Sequence, residues 1–104
     1  MQRVACKMFL TPDQEEEYRR RHDAIWPELK TLLRENGVRN YSIFLDPETN
    51  VLFAYLERPN DHAMGSLPED PVMQRWRQFM KDVMAANDYG SPVSFSLLEV
   101  FHLE

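Results

Sequence analysis

The sequence is most informative at first for what it has little of. Cys6 is the only cysteine, so an intrachain disulfide is excluded and a reducing compartment, the cytoplasm, is expected. Its place in a strand-like pattern favours a buried structural thiol over a nucleophile. The three glycines, Gly37, Gly65 and Gly90, are scattered, and no phosphate loop or dinucleotide fingerprint can be built from them. No apolar run approaches the length that spans a bilayer. Met1-Gln2-Arg3 passes straight into a strand pattern, so no leader and no membrane attachment are expected. Basic residues are in deficit, 12 against 17 acidic, for a net charge of −5; a nucleic-acid partner, which needs a concentrated basic surface, is therefore disfavoured. His22, His62 and His102 have no metal-ligand spacing and no cysteine cluster beside them, so no metal is expected.

What is present is an ordinary globular composition. A chain of 104 residues, 43% apolar, suits one small domain, 1–104, with a single core. Residues 3–10 alternate as a strand, with Val4, Cys6, Met8 and Leu10 on one face. Thr11-Pro12-Asp13-Gln14 offers a helix start: Thr11 as cap, Pro12 at the first helical position, Gln14 completing a capping box. Pro27 must end, kink or restart that helix, and a second segment runs to Asn36, with Gly37 as a left-handed cap. Residues 38–45 and 51–57 read as a hairpin joined by Asp46-Pro47-Glu48-Thr49-Asn50. In the first of these strands Arg39, Tyr41, Ile43 and Leu45 share one face, and Val38, Asn40, Ser42 and Phe44 the other. Residues 58–68 are irregular, with a helical turn expected around Asp61-His62-Ala63-Met64. Asp70-Pro71 opens another helix, whose core stripe is Val72, Trp76, Phe79 or Met80, and Val83. A last strand is expected over residues 93–103.

The order strand, helix, strand, strand, helix, strand is the ferredoxin-like βαββαβ arrangement, an α+β fold. Its four-stranded antiparallel sheet carries helices on one face. The other face would hold Phe44, Phe53, Tyr55 and Phe95, and such a sheet is best covered by a second copy. A homodimer with facing sheets, the dimeric α/β barrel type, is therefore expected.

The stretch with chemical potential is Tyr18-Arg19-Arg20-Arg21-His22-Asp23-Ala24-Ile25-Trp26-Pro27-Glu28-Leu29. Tyr18 and His22 stand four apart and share a helix face that continues through Ile25 or Trp26 to Leu29. Glu15, Glu16 and Glu17 precede Arg19, Arg20 and Arg21 by four, so the arginine run reads as a solvated, paired face. If Tyr41 and Trp76 join Tyr18 and His22 between sheet and helices, the four could line a sugar pocket. Aromatic faces suit a sugar's C–H face, phenols bond its hydroxyls, and an imidazole passes a proton near neutral pH. Spacing alone favours the plainer alternative, core aromatics with one satisfied core histidine.

That same run closely resembles the L-rhamnose mutarotase family. So do Asn40-Tyr41-Ser42-Ile43-Phe44-Leu45-Asp46, Gln74-Arg75-Trp76, and Asp82-Val83-Met84-Ala85-Ala86-Asn87 with Ser91-Pro92-Val93 behind it. The resemblance covers nearly the whole chain. It implies a dimeric ferredoxin-like enzyme that interconverts the α and β anomers of L-rhamnose or a related deoxy sugar without metal or organic cofactor. It also implies that His22 is the proton donor and that Tyr18, Tyr41 and Trp76 bind the sugar. On this reading His22 is the acid toward the ring oxygen, and the base is left open. One position departs: Arg77 stands where a second tryptophan is expected. A guanidinium donates hydrogen bonds but stacks less, and the resemblance carries no role to it. Three other readings remain at this stage: a small oxygenase or haem-handling enzyme of the same fold, a non-catalytic small-molecule binding module, and a purely structural dimer.

Overall fold

The computed structural model describes residues 1–104. In chain order it has β1 (Gln2–Phe9), α1 (Glu15–Asp23), α2 (Pro27–Glu35), β2 (Arg39–Asp46), β3 (Val51–Arg58), a 3₁₀ turn (Met64–Glu69), α3 (Pro71–Met80) and β4 (Phe95–Ser96). The sheet order is β2-β3-β1-β4, all neighbours antiparallel. This is the expected ferredoxin-like fold.

The faces follow the period of two. Val4, Cys6 and Met8 pair with Leu56, Ala54 and Leu52 and form the floor under the helices. Leu29, Leu52 and Val83 are fully buried, and Tyr18, Trp76, Met80 and Met84 complete the core. The opposite face carries Phe44 beside Phe53 and Phe95 edge-on to Phe9, with Phe44, Phe53 and Phe95 all exposed.

Local chemistry sets the helix ends. Asp70 caps α3, its carboxylate accepting the Val72 N–H at 2.9 Å, and Pro71 takes the first helical position. At the end of α2 the Val38 and Gly37 amides donate to the carbonyls of Leu33 and Arg34, a Schellman closure that needs a left-handed residue. Gly37 supplies it at φ 102°, and a Cβ there would sit 3.0 Å from the His62 Cβ. Gly37→Ala is therefore expected to cost about 1–3 kcal/mol, read as a lowered urea midpoint at unchanged slope.

Five sequence expectations are corrected. The α1 capping box does not form: Asp13 lies at φ 66° and the helix starts at Glu15 without a side-chain cap, because a left-handed residue breaks helical continuity. The helical turn lies at Met64–Glu69 rather than around residues 61–64, where His62 Nδ1 instead accepts the Met64 N–H. The last strand is two residues long, not eleven; Leu97 adds one amide bond to the Ala5 carbonyl, and residues 98–104 have no strand pairing, with Leu98, Val100, Phe101 and Leu103 exposed. The faces of β2 change parity near Asn40, which sits at φ 47° in a bulge where the pairing slips between Arg39 and Ser42. Val38 is consequently buried, while Arg39 pairs with Glu57. Finally, Arg21 is no solvated arginine: its guanidinium donates to Asp82 at 2.7 Å, to the Phe79 carbonyl at 2.7 Å and to Glu17 at 2.6 Å, and lies over the Phe79 ring. It thereby ties α1 to the end of α3.

Candidate functional site

Tyr18 and His22 stand on the inner face of α1, one turn apart, with ring centroids 4.4 Å from each other. The Trp76 ring on α3 meets the His22 ring edge-on at 5.5 Å. Pro27 forces the extended conformation of Trp26, at ψ 132°, and the Trp26 ring then packs edge-on against Trp76 at 5.2 Å and tilted against Phe79 at 5.5 Å. Trp76 thus has His22, Trp26 and, at 5.7 Å, Phe79 as aromatic neighbours. Neither Trp26 nor Phe79 was singled out by spacing as part of the site; a tryptophan directly before a helix-starting proline was the available signal.

Tyr41 comes from β2. The Asn40 bulge leaves Tyr41, Ile43 and Leu45 on the helix side, where all three border the pocket. Tyr18, His22, Tyr41 and Trp76 border one cavity of about 400 Å³ between sheet and helices, a size that suits a small ligand. A neighbouring hollow shares Tyr18, His22 and Tyr41 and opens toward Glu15, Arg19 and Asp23. The four sequence-derived site residues are therefore brought together.

The His22 imidazole has one protein partner. Nδ1 lies 3.1 Å from the Tyr18 backbone oxygen, and a carbonyl only accepts, so Nδ1 carries the proton. Burial lowers the His22 pKa below its ordinary 6.5, outweighing the opposing pull of the Tyr18 carbonyl and Asp23. At neutral pH the ring is neutral, and Nε2 holds its lone pair with no protein donor against it. The phenols behave in the opposite sense. Burial raises Tyr18 far above the ordinary phenol value and pushes Tyr41 up to about 12. Tyr41 is 44% exposed as a residue and borders the cavity. Both phenols are donors that no protein acceptor occupies. No group of three or more His, Cys, Asp or Glu side chains is placed to hold a metal ion, and no helix is long and apolar enough to cross a membrane.

Fold and cavity together define a small ferredoxin-like α+β protein with an aromatic, imidazole-bearing pocket of small-molecule size. The model of the L-rhamnose mutarotase family matches residues 3–103. The L-rhamnose mutarotase of Rhizobium johnstonii is 54% identical over 99% of this chain and 97% of that protein; that of Burkholderia cenocepacia is 51% identical over the full length of both. The crystal structure of an L-rhamnose mutarotase from Formosa agariphila superposes with a TM-score of 0.93 at 46% identity, covering 100% of each chain. The chain belongs to the L-rhamnose mutarotase family. An antibiotic biosynthesis monooxygenase, at 13% identity and a TM-score of 0.61, shares the fold alone and lends no weight to an oxygenase reading.

Proposed function

We propose that this protein is an aldose mutarotase that interconverts the α and β anomers of L-rhamnose, with His22 as the group that moves the proton. The observation that carries this reading is the free Nε2 of a neutral His22 on a cavity ringed by Tyr18, Tyr41 and Trp76, in a chain about half identical to named L-rhamnose mutarotases.

The chemistry follows from the protonation states. Nε2 takes the proton of the anomeric hydroxyl; C1–O1 becomes a carbonyl as the C1–O5 bond breaks, leaving the electron pair on O5. The imidazolium so formed gives its proton to O5. O1 and O5 share one carbon, so a single ring nitrogen serves both, and His22 is base first and acid toward the ring oxygen second. Rotation about C1–C2 presents the other carbonyl face; the same steps in reverse close the ring with the centre inverted. Tyr18 and Tyr41, protonated throughout, donate to sugar hydroxyls, and Trp76 stacks on the apolar face. No step calls for a metal or organic cofactor.

The test is magnetisation exchange between the two anomeric proton signals of L-rhamnose, with and without protein. Faster exchange supports the reading; saturable binding without faster exchange makes the protein a binding module instead.

The same proposal includes a homodimer. Only 14 of 104 residues are buried, a thin core for the chain, while Phe44, Phe53 and Phe95 crowd the uncovered sheet face and the apolar 97–103 segment extends beyond it. Two sheets packed face to face would bury these side chains. Sedimentation should give twice the chain mass, and Phe44→Asp should shift the population to monomer; a monomer at all concentrations for the unmodified chain overturns this part. A lone thiol and an excess of acidic groups support a cytoplasmic enzyme with no nucleic-acid partner.

A further inference from the structure

Arg77 is the one charged residue on the inner cavity, and nothing in the chain neutralises it. It borders the same cavity as His22 and Trp76 and, on its other side, a smaller hollow shared with Lys81 and Met84. No aspartate or glutamate borders either space, although acidic residues outnumber basic ones 17 to 12 along the chain. The other half-buried arginines have partners: Arg21 is held by Glu17, Asp82 and a carbonyl, and Arg58 donates to the Gln2 side-chain oxygen. Arg77 makes no hydrogen bond and no ion pair, and burial alone lowers its pKa. Its guanidinium nitrogens are engaged by no protein acceptor and none is sealed from solvent, so a planar fork of N–H donors, the geometry that grips a carboxylate in two places, stays open to an incoming anion.

We propose that Arg77 is a specificity-determining residue that admits a second substrate class to this site, aldoses bearing a carboxylate, whose anion it binds while His22 works on the anomeric centre. The proposal rests on the mutarotase reading, since it assigns a further sugar class to the same pocket. It requires no new chemical step: the proton moves from O1 to O5 as before, and the carboxylate only binds.

The test compares L-rhamnose, L-mannose and L-mannuronate, which differ only at C6 as methyl, hydroxymethyl and carboxylate. Anomer exchange is measured for the unmodified protein, Arg77→Lys and Arg77→Met. The expected result is exchange of L-mannuronate above the buffer rate, with its kcat/KM relative to L-mannose falling roughly ten- to hundredfold in Arg77→Met, mainly through KM. Arg77→Lys, which keeps charge but not the fork, should fall between. An unchanged ratio in Arg77→Met, or no acceleration of L-mannuronate while L-rhamnose is accelerated, overturns the proposal and leaves the mutarotase reading intact. No acceleration of any of the three sugars overturns both. Should Arg77→Met fail to fold by circular dichroism, Arg77→Gln, which keeps most of the stem, takes its place with the same expected ratio.

Discussion

Replacing His22 with alanine should slow L-rhamnose anomer exchange by about 10²–10⁴-fold, the span that a positioned proton carrier supplies. The size of the loss follows from the account of the site. If one nitrogen both takes the O1 proton and returns it to O5, no second side chain retains half of the work. The fold should survive: His22 is only half-buried, its neighbours Tyr18 and Trp76 are anchored by other contacts, and its sole protein hydrogen bond is within its own helix. Kinetics and circular dichroism together check this. A His22→Ala protein that is folded and undiminished would remove the imidazole from the chemistry.

Trp76→Ala should have the largest effect on stability, about 3–5 kcal/mol, a large share of the roughly 5–15 kcal/mol that holds a domain together. Trp76 is 9% exposed and is the ring on which His22, Trp26 and Phe79 all converge, at centroid distances of 5.5, 5.2 and 5.7 Å. Removing it opens a void at the junction of α1, α2 and α3, where no other side chain can follow without leaving its own contacts. Trp76→Phe keeps a ring in the gap and should cost less than half as much. At a temperature where both variants fold, sugar KM should rise further in the alanine variant, because the stacking face is gone. Urea unfolding of the two proteins separates these outcomes. An alanine variant as stable as the phenylalanine variant would show that Trp76 is not the keystone described.

The contrast between what spacing revealed and what it hid has a physical pattern. Tyr18 and His22 were legible because a helix places residues four apart on one face, and Trp76 because it fell on the stripe that must face the core. Asp70-Pro71 and Gly37 marked helix ends through chemistry that acts within a few residues. The Asn40 bulge was not legible: a single left-handed residue reverses the side of the sheet on which Val38 and Arg39 fall, and asparagine permits that conformation without demanding it. Arg21 escapes the spacing rule because its decisive partners, Asp82 and the Phe79 carbonyl, lie about sixty positions away. The last strand was overextended because residues 97–103 alternate in hydropathy, yet β1 offers pairing only to Phe95 and Ser96 and one further amide, from Leu97 to the Ala5 carbonyl. The pattern of alternation describes a segment suited to a sheet; it does not say whose.

The central claim, that a neutral His22 with a free Nε2 drives anomer exchange, is tested most directly by the pH dependence of the exchange rate of L-rhamnose anomers. Burial lowers the His22 pKa below 6.5; with the neutral ring as the proposed active form, kcat/KM should rise with pH through that lowered value and stay level across neutrality. A rate that instead falls as pH climbs through the same range, the signature of an imidazolium acting as the resting acid, would contradict it.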